Sequence, residues 1–469
     1  MNHSQLRTRF TGGYEAKAEC QAEVDEVYAA LAQLVHAVDV GEVAFAENAT
    51  RAYDYLLHTV TVNSHALKDA VHADAPVTPS ERALIGRDSV LITTACEYGS
   101  NYTALLQVSN RTGASLRCVR KESSGVLSLA HLQELLEECG DRVALVSLCW
   151  VPTNGGLVQP AAEVGALCKK YNVLYLLDAC QAVGQIDVDV QHLQCDALVT
   201  TARKFLRGPR GMGFMYVRRG SVFARAEPIF LDLATATLRK PTPQRSQGSR
   251  TDVLGISGPT GTALSGLVES GLSDGDKTNV ELQLGEKDVF DTDPRPARRY
   301  ENWERNYAAW LGLGEAARYA LSIGLPKIEQ RVRFLGGMLR STLNAIDIKY
   351  RVVSRSAEHS AVPSQNIEMP EEAREESAVQ VMCLGEAHLQ CGIVSFVVNG
   401  LSATQVKDTL SETYAVKVSV SPFTSTFRDM NERGLCDVVR ASVHYFNTEQ
   451  EVRYFAECVR QIAEDANHP

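Results

Sequence analysis

Val173-Leu174-Tyr175-Leu176-Leu177-Asp178-Ala179-Cys180-Gln181 and, 26 residues beyond its aspartate, Leu198-Val199-Thr200-Thr201-Ala202-Arg203-Lys204 decide how this chain is read. Each is a short apolar, β-rich run that stops on a charge. A buried strand ending on a carboxylate places that group at the carboxyl end of a parallel sheet, where α/β sheets hold ligands. Taken alone, Asp178 would equally suit the N-cap of a following helix. A lysine at the end of a buried strand needs a partner or a chemical task. Gly208-Pro209-Arg210-Gly211-Met212-Gly213 follows, a turn whose glycines let the backbone approach whatever Lys204 touches.

Outward from this pair, strands and helices alternate. Strands are predicted over Val43–Phe45, Val90–Thr94, Leu116–Val119, Val143–Trp150, Val173–Leu177, Leu198–Thr201 and Gly213–Val217. Helices are predicted over Tyr14–Ala37, Glu47–Val60, Asn101–Thr112, Leu129–Glu138 and Ala161–Tyr171. Short apolar runs separated by helices signal βαβ units and a largely parallel sheet covered on both faces. Tyr307–Ile346 reads as one long helix and its successor. The tail repeats the alternation on a smaller scale, with strands at Gly392–Val398, Val416–Val420 and Val438–Val443 and helices at Ala403–Tyr414 and Glu449–Ala466. Two stretches, Arg239–Pro296 and Ser354–Ser377, are polar and weakly periodic, which predicts insertions, the first partly disordered.

Composition narrows the class. The chain has 469 residues, longer than one hydrophobic core usually serves, and 47 basic against 57 acidic side chains give a net charge of −10. That balance speaks against nucleic acid or an anionic membrane as partner. No apolar run reaches the ~18 residues a bilayer requires, and no secretory signal opens the sequence, so a cytoplasmic protein is expected. The twelve cysteines are scattered without a C-x-x-C pair, which fits reduced structural thiols and no metal site. Gly271-Leu272-Ser273-Asp274-Gly275 mimics a nucleophile elbow without the strand it needs, and Gly312-Leu313-Gly314-Glu315-Ala316-Ala317 mimics a dinucleotide fingerprint inside a helical run.

Asp178-Ala179-Cys180-Gln181 followed by Arg203-Lys204-Phe205-Leu206-Arg207-Gly208-Pro209-Arg210-Gly211 resembles the pyridoxal 5'-phosphate (PLP) signature of class V aminotransferases. Gly12-Gly13-Tyr14-Glu15, Glu47-Asn48-Ala49-Thr50-Arg51, Glu97-Tyr98, Pro152-Thr153-Asn154-Gly155-Gly156-Leu157, Phe230-Leu231-Asp232-Leu233, Arg299-Tyr300-Glu301-Asn302-Trp303-Glu304 and Val439-Arg440-Ala441-Ser442-Val443-His444 extend the likeness along nearly the whole chain. The nearest branch is similar to isopenicillin N epimerase-like proteins and hercynylcysteine sulfoxide lyases, beside the cysteine desulfurases. The resemblance implies an α/β PLP-dependent transferase of fold type I, with a mostly parallel seven-stranded sheet in a large domain and a smaller C-terminal α/β domain. It divides the chain into an N-terminal helical segment (1–37), a PLP-binding large domain (38–238), the polar insertion (239–296), and a return segment with the small domain (297–469). A homodimer follows from it too.

The same resemblance assigns roles. Lys204 is the expected Schiff-base lysine and the acid or base at the substrate's Cα. Asp178 is expected to pair with the pyridinium nitrogen, Gln181 with the ring hydroxyl, and Tyr98 to stack on the ring. Ala49 and Thr50, opening a helix, and Thr201 are expected to bind the phosphate. Asn154 is placed to meet the ring oxygen or the substrate. Arg440, a guanidinium inside an apolar strand, calls for a carboxylate, and the substrate's would be a bidentate one. A structural salt bridge is the other reading of Arg440.

The expected reaction is C–S bond cleavage on a cysteine-type substrate, with transamination or epimerisation of an amino acid as one alternative and a non-catalytic relative as another. Three departures bear on this. Val420-Ser421-Pro422-Phe423-Thr424-Ser425-Thr426, where desulfurases carry a persulfide-relay cysteine, has none, and Cys436 falls close to Arg440. Glu304 stands where many relatives place a phosphate-binding threonine. Few residues precede Gly12-Gly13-Tyr14, where relatives carry a strand and a pocket loop.

Overall fold

The computed structural model describes residues 15, 18–62, 85–239, 289–347, 349–352, 374–382 and 385–467. Gly12-Gly13-Tyr14, the Gly271–Gly275 run, Cys383 and most of the two expected insertions lie outside the described residues. Seven strands form the main sheet: β1 (Val43–Ala46), β2 (Val90–Thr94), β3 (Ser115–Val119), β4 (Val143–Cys149), β5 (Leu174–Asp178), β6 (Ala197–Thr201) and β7 (Gly213–Val217). Their order is β1-β7-β6-β5-β4-β2-β3, and only the pairings made by β7 are antiparallel. All six strands other than the edge strand β3 are buried along their whole length. That is why they read as continuous apolar runs rather than as an alternation.

The two faces separate by strand parity. Ile92, Val146, Tyr175, Leu177, Leu198, Phe214 and Tyr216 pack beneath the helices α1 (Gln21–Leu34), α4 (Leu129–Cys139), α5 (Ala161–Lys170) and α6 (Tyr307–Ile323). Leu91, Leu145, Leu176, Val199, Met215 and Val217 face α2 (Ala49–Val62) and α3 (Gly99–Thr112) on the other side. The fingerprint-like glycines at 312 and 314 lie within α6 and serve close packing. A Cβ at Gly314 would stand 2.5 Å from Val27 Cγ2 on α1, and one at Gly312 would stand 2.8 Å from Pro209 Cγ.

α7 (Leu325–Asn344) ties the two cores together. Its Ile328 and Val332 join the core of the main sheet, while Leu335, Leu339 and Leu343 join that of a second sheet. That sheet is antiparallel, in the order β12 (Val379–Val381), β13 (Ile393–Val398), β15 (Val438–Ser442), β14 (Ser419–Ser421), and is covered by α7, α8 (Ala403–Thr413) and α10 (Glu449–Asn467). A short helix, α9 (Phe427–Glu432), precedes β15.

The expected strand at Val416–Val420 begins later, at Ser419. Ala415 takes a left-handed φ of +56°, and the Val416 amide folds back onto the Leu410 carbonyl, so the chain is still turning where the apolar run starts. The stems of both insertions are also more regular than their composition suggests. β8 (Ala236–Arg239) pairs with β9 (Val289–Thr292), and β10 (Lys349–Val352) pairs with β11 (Arg374–Ser377), each as an antiparallel ladder. Among the described residues no helix is long and apolar enough to cross a membrane.

One contact positions the segment after Lys204. Gly184 has φ +94°, and a Cβ there would lie 2.3 Å from Leu206 N and 2.4 Å from Phe205 C. Only glycine satisfies both the conformation and the approach. Gly184→Ala is expected to destabilise the protein by about 1–3 kcal/mol, through overpacking against backbone that cannot yield. Chemical denaturation would register the loss, and an unchanged midpoint would contradict this packing.

Candidate active site

The carboxyl ends of β2, β4, β5 and β6 converge, and the turns that leave them carry the polar side chains of the site. Asp178, the last residue of β5, is 4% exposed. Its Oδ1 accepts from the Cys180 amide and its Oδ2 from the Asn101 side chain, both at 2.8 Å. Residues 180–182 form a turn, in which the Ala182 and Val183 amides both bond the Ala179 carbonyl. Lys204 follows β6 in a tight turn closed by Arg207, left-handed at φ +59°, whose amide donates to the Lys204 carbonyl. The Lys204 ammonium lies 5.8 Å from the centroid of the Tyr98 ring. Tyr98 itself caps α3 after β2, leaving a ring face and an amine on two sides of one space.

The small sheet contributes Arg440 from β15. Its Nη1 donates to Thr153 Oγ1 at 2.7 Å, its Nη2 to Gln181 Oε1 at 3.3 Å, and its Nε to Ser442 Oγ at 3.1 Å. Among the described residues no carboxylate pairs with it, so the structural salt bridge is not what holds it. Burial lowers its pKa to about 10, with Arg203 adding to the shift and Cys391 opposing it. An anion meeting this half-buried guanidinium would therefore offset a charge that no carboxylate of the described residues compensates. Gln181, 3% exposed, also donates to Thr153 Oγ1 at 2.8 Å, so Thr153, Gln181 and Arg440 form one set of mutual contacts.

Asn154 is brought to the site but is already engaged. Its Nδ2 donates to the Pro422 carbonyl at 3.1 Å and its Oδ1 accepts from the Ser421 hydroxyl. The next residues lie directly on α3, since a Cβ at Gly99 would stand 2.3 Å from the Thr424 carbonyl oxygen. On the opposite flank, Ala49 and Thr50 open α2. Asn48 accepts there from Arg51 N through its side chain at 3.0 Å and from Ala52 N through its carbonyl. Gly213 keeps that corner open, because a Cβ on it would meet the Thr200 carbonyl at 2.5 Å and the Ala49 amide at 3.3 Å. Thr201 ends β6 beside it, its hydroxyl bonded at 3.4 Å to the Met212 carbonyl.

Residues 3–231 match the family model described as aminotransferase class-V. A probable cysteine desulfurase of Methanothermobacter thermautotrophicus is 24% identical over 379 residues, which cover 80% of this chain and 73% of that protein. A cysteine desulfurase of Synechococcus elongatus is 26% identical over 462 residues, covering 98% of this chain and 55% of the relative, so this chain spans about half its length. Two solved structures share the fold at 18% identity. The apo cysteine desulfurase of Thermococcus onnurineus NA1 gives a TM-score of 0.70, covering 98% of this chain and 90% of the other. The cystine C–S lyase C-DES, in complex with its product cysteine persulfide, gives 0.66, covering 97% and 91%. Over residues 3–231 the chain is thus similar to class V aminotransferases.

Proteins of this family are PLP-dependent enzymes, and the residues present suit that cofactor. Asp178, a buried carboxylate without an ion-pair partner among the described residues, could pair with a positively charged ring nitrogen. An aromatic face lies opposite a lysine amine, and a helix N-terminus flanked by threonine hydroxyls can take a phosphate. Glu304 lines a neighbouring cavity with Glu47, Gly211 and Asn302 and offers an anion no hydrogen-bond donor. Sequence reasoning left four participants without roles: Glu97, Asn101, Ser147 and Thr153. The signal for two of them was present, an acid and an amide four residues apart where β2 runs into α3.

Asn154→Ala removes the ties to Ser421 and Pro422. Two hydrogen bonds of about 1 kcal/mol each predict amide exchange at residues 421–426 faster by roughly tenfold or more. Unchanged protection there would mean that packing on Gly99 alone holds the segment.

Proposed function

We propose that this enzyme is a C–S lyase acting on cysteine or a cysteine-type substrate, through PLP held by Lys204, and that it works without a persulfide-relay cysteine. The observation that carries the amino-acid substrate is Arg440, half-buried, unpaired by any carboxylate of the described residues and hydrogen-bonded to Thr153 and Gln181. The choice of C–S cleavage rests on the desulfurases and the cystine C–S lyase to which the chain is similar. Asp178, Gln181, Tyr98, Ala49, Thr50 and Thr201 are proposed to hold the ring, its hydroxyl and the phosphate.

Bound PLP supplies an electron sink for the pair left at Cα when its proton departs. The protein's part is positional. Arg440 binds the α-carboxylate, with Thr153 and Gln181 fixing the plane of its guanidinium. The free Lys204 amine would take the Cα proton. Cleavage of the Cβ–S bond would release sulfide from cysteine or cysteine persulfide from cystine, one water being consumed as the remainder becomes pyruvate and ammonium. Asn154 works from the side, anchoring the 421–426 segment as a fixed wall.

That anchoring supports the absence of a relay. The segment where desulfurases carry their swinging thiol holds serine, threonine, proline and phenylalanine and is pinned by Asn154 and Gly99. Cys436 is exposed, but lies in the turn between α9 and β15, where the neighbouring Asp437 carboxylate accepts from the Phe423 amide. A cytoplasmic homodimer completes the proposal. Its support beyond the family is the exposure of Phe230, Leu233 and Trp303, gathered near Asp232, whose Oδ2 accepts from the Trp303 amide at 2.6 Å.

Borohydride treatment of the PLP-loaded protein is expected to fix the cofactor to the Lys204 peptide, and Lys204→Ala to abolish this. Cysteine or cystine should then yield pyruvate and ammonia in equal amounts. Cys436→Ser should leave the rate within about twofold, whereas Arg440→Ala should lower kcat/KM by roughly a hundredfold, for loss of a charge-assisted bidentate contact. A keto acid matching the amino acid supplied, with pyridoxamine phosphate, would make the enzyme a transaminase instead. Loss of sulfur release in Cys436→Ser would restore a relay, and no product from any amino acid would indicate a non-catalytic relative.

A further inference from the structure

Glu97 sits beside Asp178 and has no part in the chemistry above. It is 2% exposed, and its carboxylate, the Asp178 carboxylate and Cys149 Sγ offer atoms all within 4.8 Å of one another. The Asn101 amide donates to both acids, at 3.0 Å to Glu97 Oε1 and 2.8 Å to Asp178 Oδ2. Among the described residues neither acid forms an ion pair. Resting on the PLP reading of the site, we propose that Glu97 is a positioning residue for Asp178. Through the shared Asn101 amide it aims that carboxylate at the cofactor's ring nitrogen, and it keeps a proton until the ring's positive charge arrives.

The two oxygens of Glu97 are not equivalent. Oε1 faces only N–H donors, from Asn101 and from the Tyr98 amide at 2.9 Å. Oε2 faces hydroxyls, Thr93 Oγ1 and Ser147 Oγ, both at 3.1 Å, and Ser147 in turn lies 2.7 Å from the Tyr53 hydroxyl. Hydroxyls donate or accept as they rotate, whereas the amides only donate. A proton therefore belongs on Oε2, and the Thr93–Ser147–Tyr53 hydroxyls can reorient to receive it or to replace it. Two adjacent buried carboxylates without a cation do not both ionise at low cost, so the pair keeps one proton between them. The groups facing Glu97 agree. Asp178 raises it, Tyr53 and Cys149 are themselves held protonated by burial, and the Lys204 charge acts on Cys149 and Cys180. Burial, with the Asp178 charge second, pushes Glu97 up to about 7.

The sign follows. Below about 7, Glu97 is neutral while Asp178 has no cation. A positive ring nitrogen against Asp178 cancels the repulsion, Glu97 ionises, and cofactor entry expels its proton. Above that range the proton has already gone. Glu97→Gln reproduces the neutral form, with an amide N–H toward the hydroxyls and the oxygen toward Asn101, and cannot release anything.

Calorimetric titration of cofactor-stripped protein with PLP, in two buffers of different ionisation heat, counts the protons exchanged. At about pH 6 the wild type should take up fewer protons than Glu97→Gln, by several tenths up to one, and at about pH 8 the difference should vanish. Asn101→Ala should weaken PLP binding at least tenfold while the thermal midpoint of the stripped protein stays within a few degrees. Equal proton counts at both pH values overturn the proton-holding role, and unchanged PLP affinity in Asn101→Ala overturns the aiming role. Wild-type protein that fails to bind PLP overturns this inference together with the reading it rests on.

Discussion

The structure depends on placing charge at the carboxyl edge of a sheet that is otherwise apolar through and through. Asp178 at the end of β5 and Glu97 after β2 reach that edge on either side of β4, both nearly inaccessible to water. Burying an isolated carboxylate costs several kcal/mol, so each must be saturated with donors. Asn101 serves both acids at once, and the Cys180 and Tyr98 amides take two of the remaining positions. The turns after β2 and β5 are thereby fixed relative to one another. With them are fixed the Tyr98 ring, the amine of Lys204 one strand further on, and the direction from which Arg440 enters.

Much of this was legible in the residues, for a physical reason. Buried parallel strands must be apolar along their whole length, so β2, β5, β6 and β7 stand out as short hydrophobic runs. A charged residue that ends such a run is costly to bury, and it persists there only with a partner or a chemical task. Asp178 and Lys204 stood out on that ground as a pair, although Asp178 taken alone would equally have suited a helix N-cap. Helices α2 to α5 followed from their spacing, with ends shifted by a residue or two where caps rather than apolar content set the boundary.

What was less legible depends on partners distant in sequence. Nothing near Asn154 announces that its amide is spent on Ser421 and Pro422, more than 260 residues away. Gln181 lies in a buried turn whose Arg440 and Thr153 partners come from other parts of the chain. Glu97 entered only through the Glu97-Tyr98 likeness. It is buried beside Ser147 on β4 and Asp178 on β5, and the order of strands in the sheet is not written in the local pattern. The strand stems of the two insertions were missed because four-residue ladders in polar sequence carry too little periodicity to register.

Those stems have a consequence for how the chain can change over time. A two-stranded antiparallel ladder brings its ends together at the distance of a single strand pair, whatever length of chain connects them. Each ladder holds its two inner ends, Arg239 with Val289 and Val352 with Arg374, one strand pair apart. Doubling the length of any connection closed in this way costs only about 0.6 kcal/mol of closure entropy. The two ladders therefore act as sockets at which sequence can be gained, lost or exchanged while the geometry around Lys204 stays as it is.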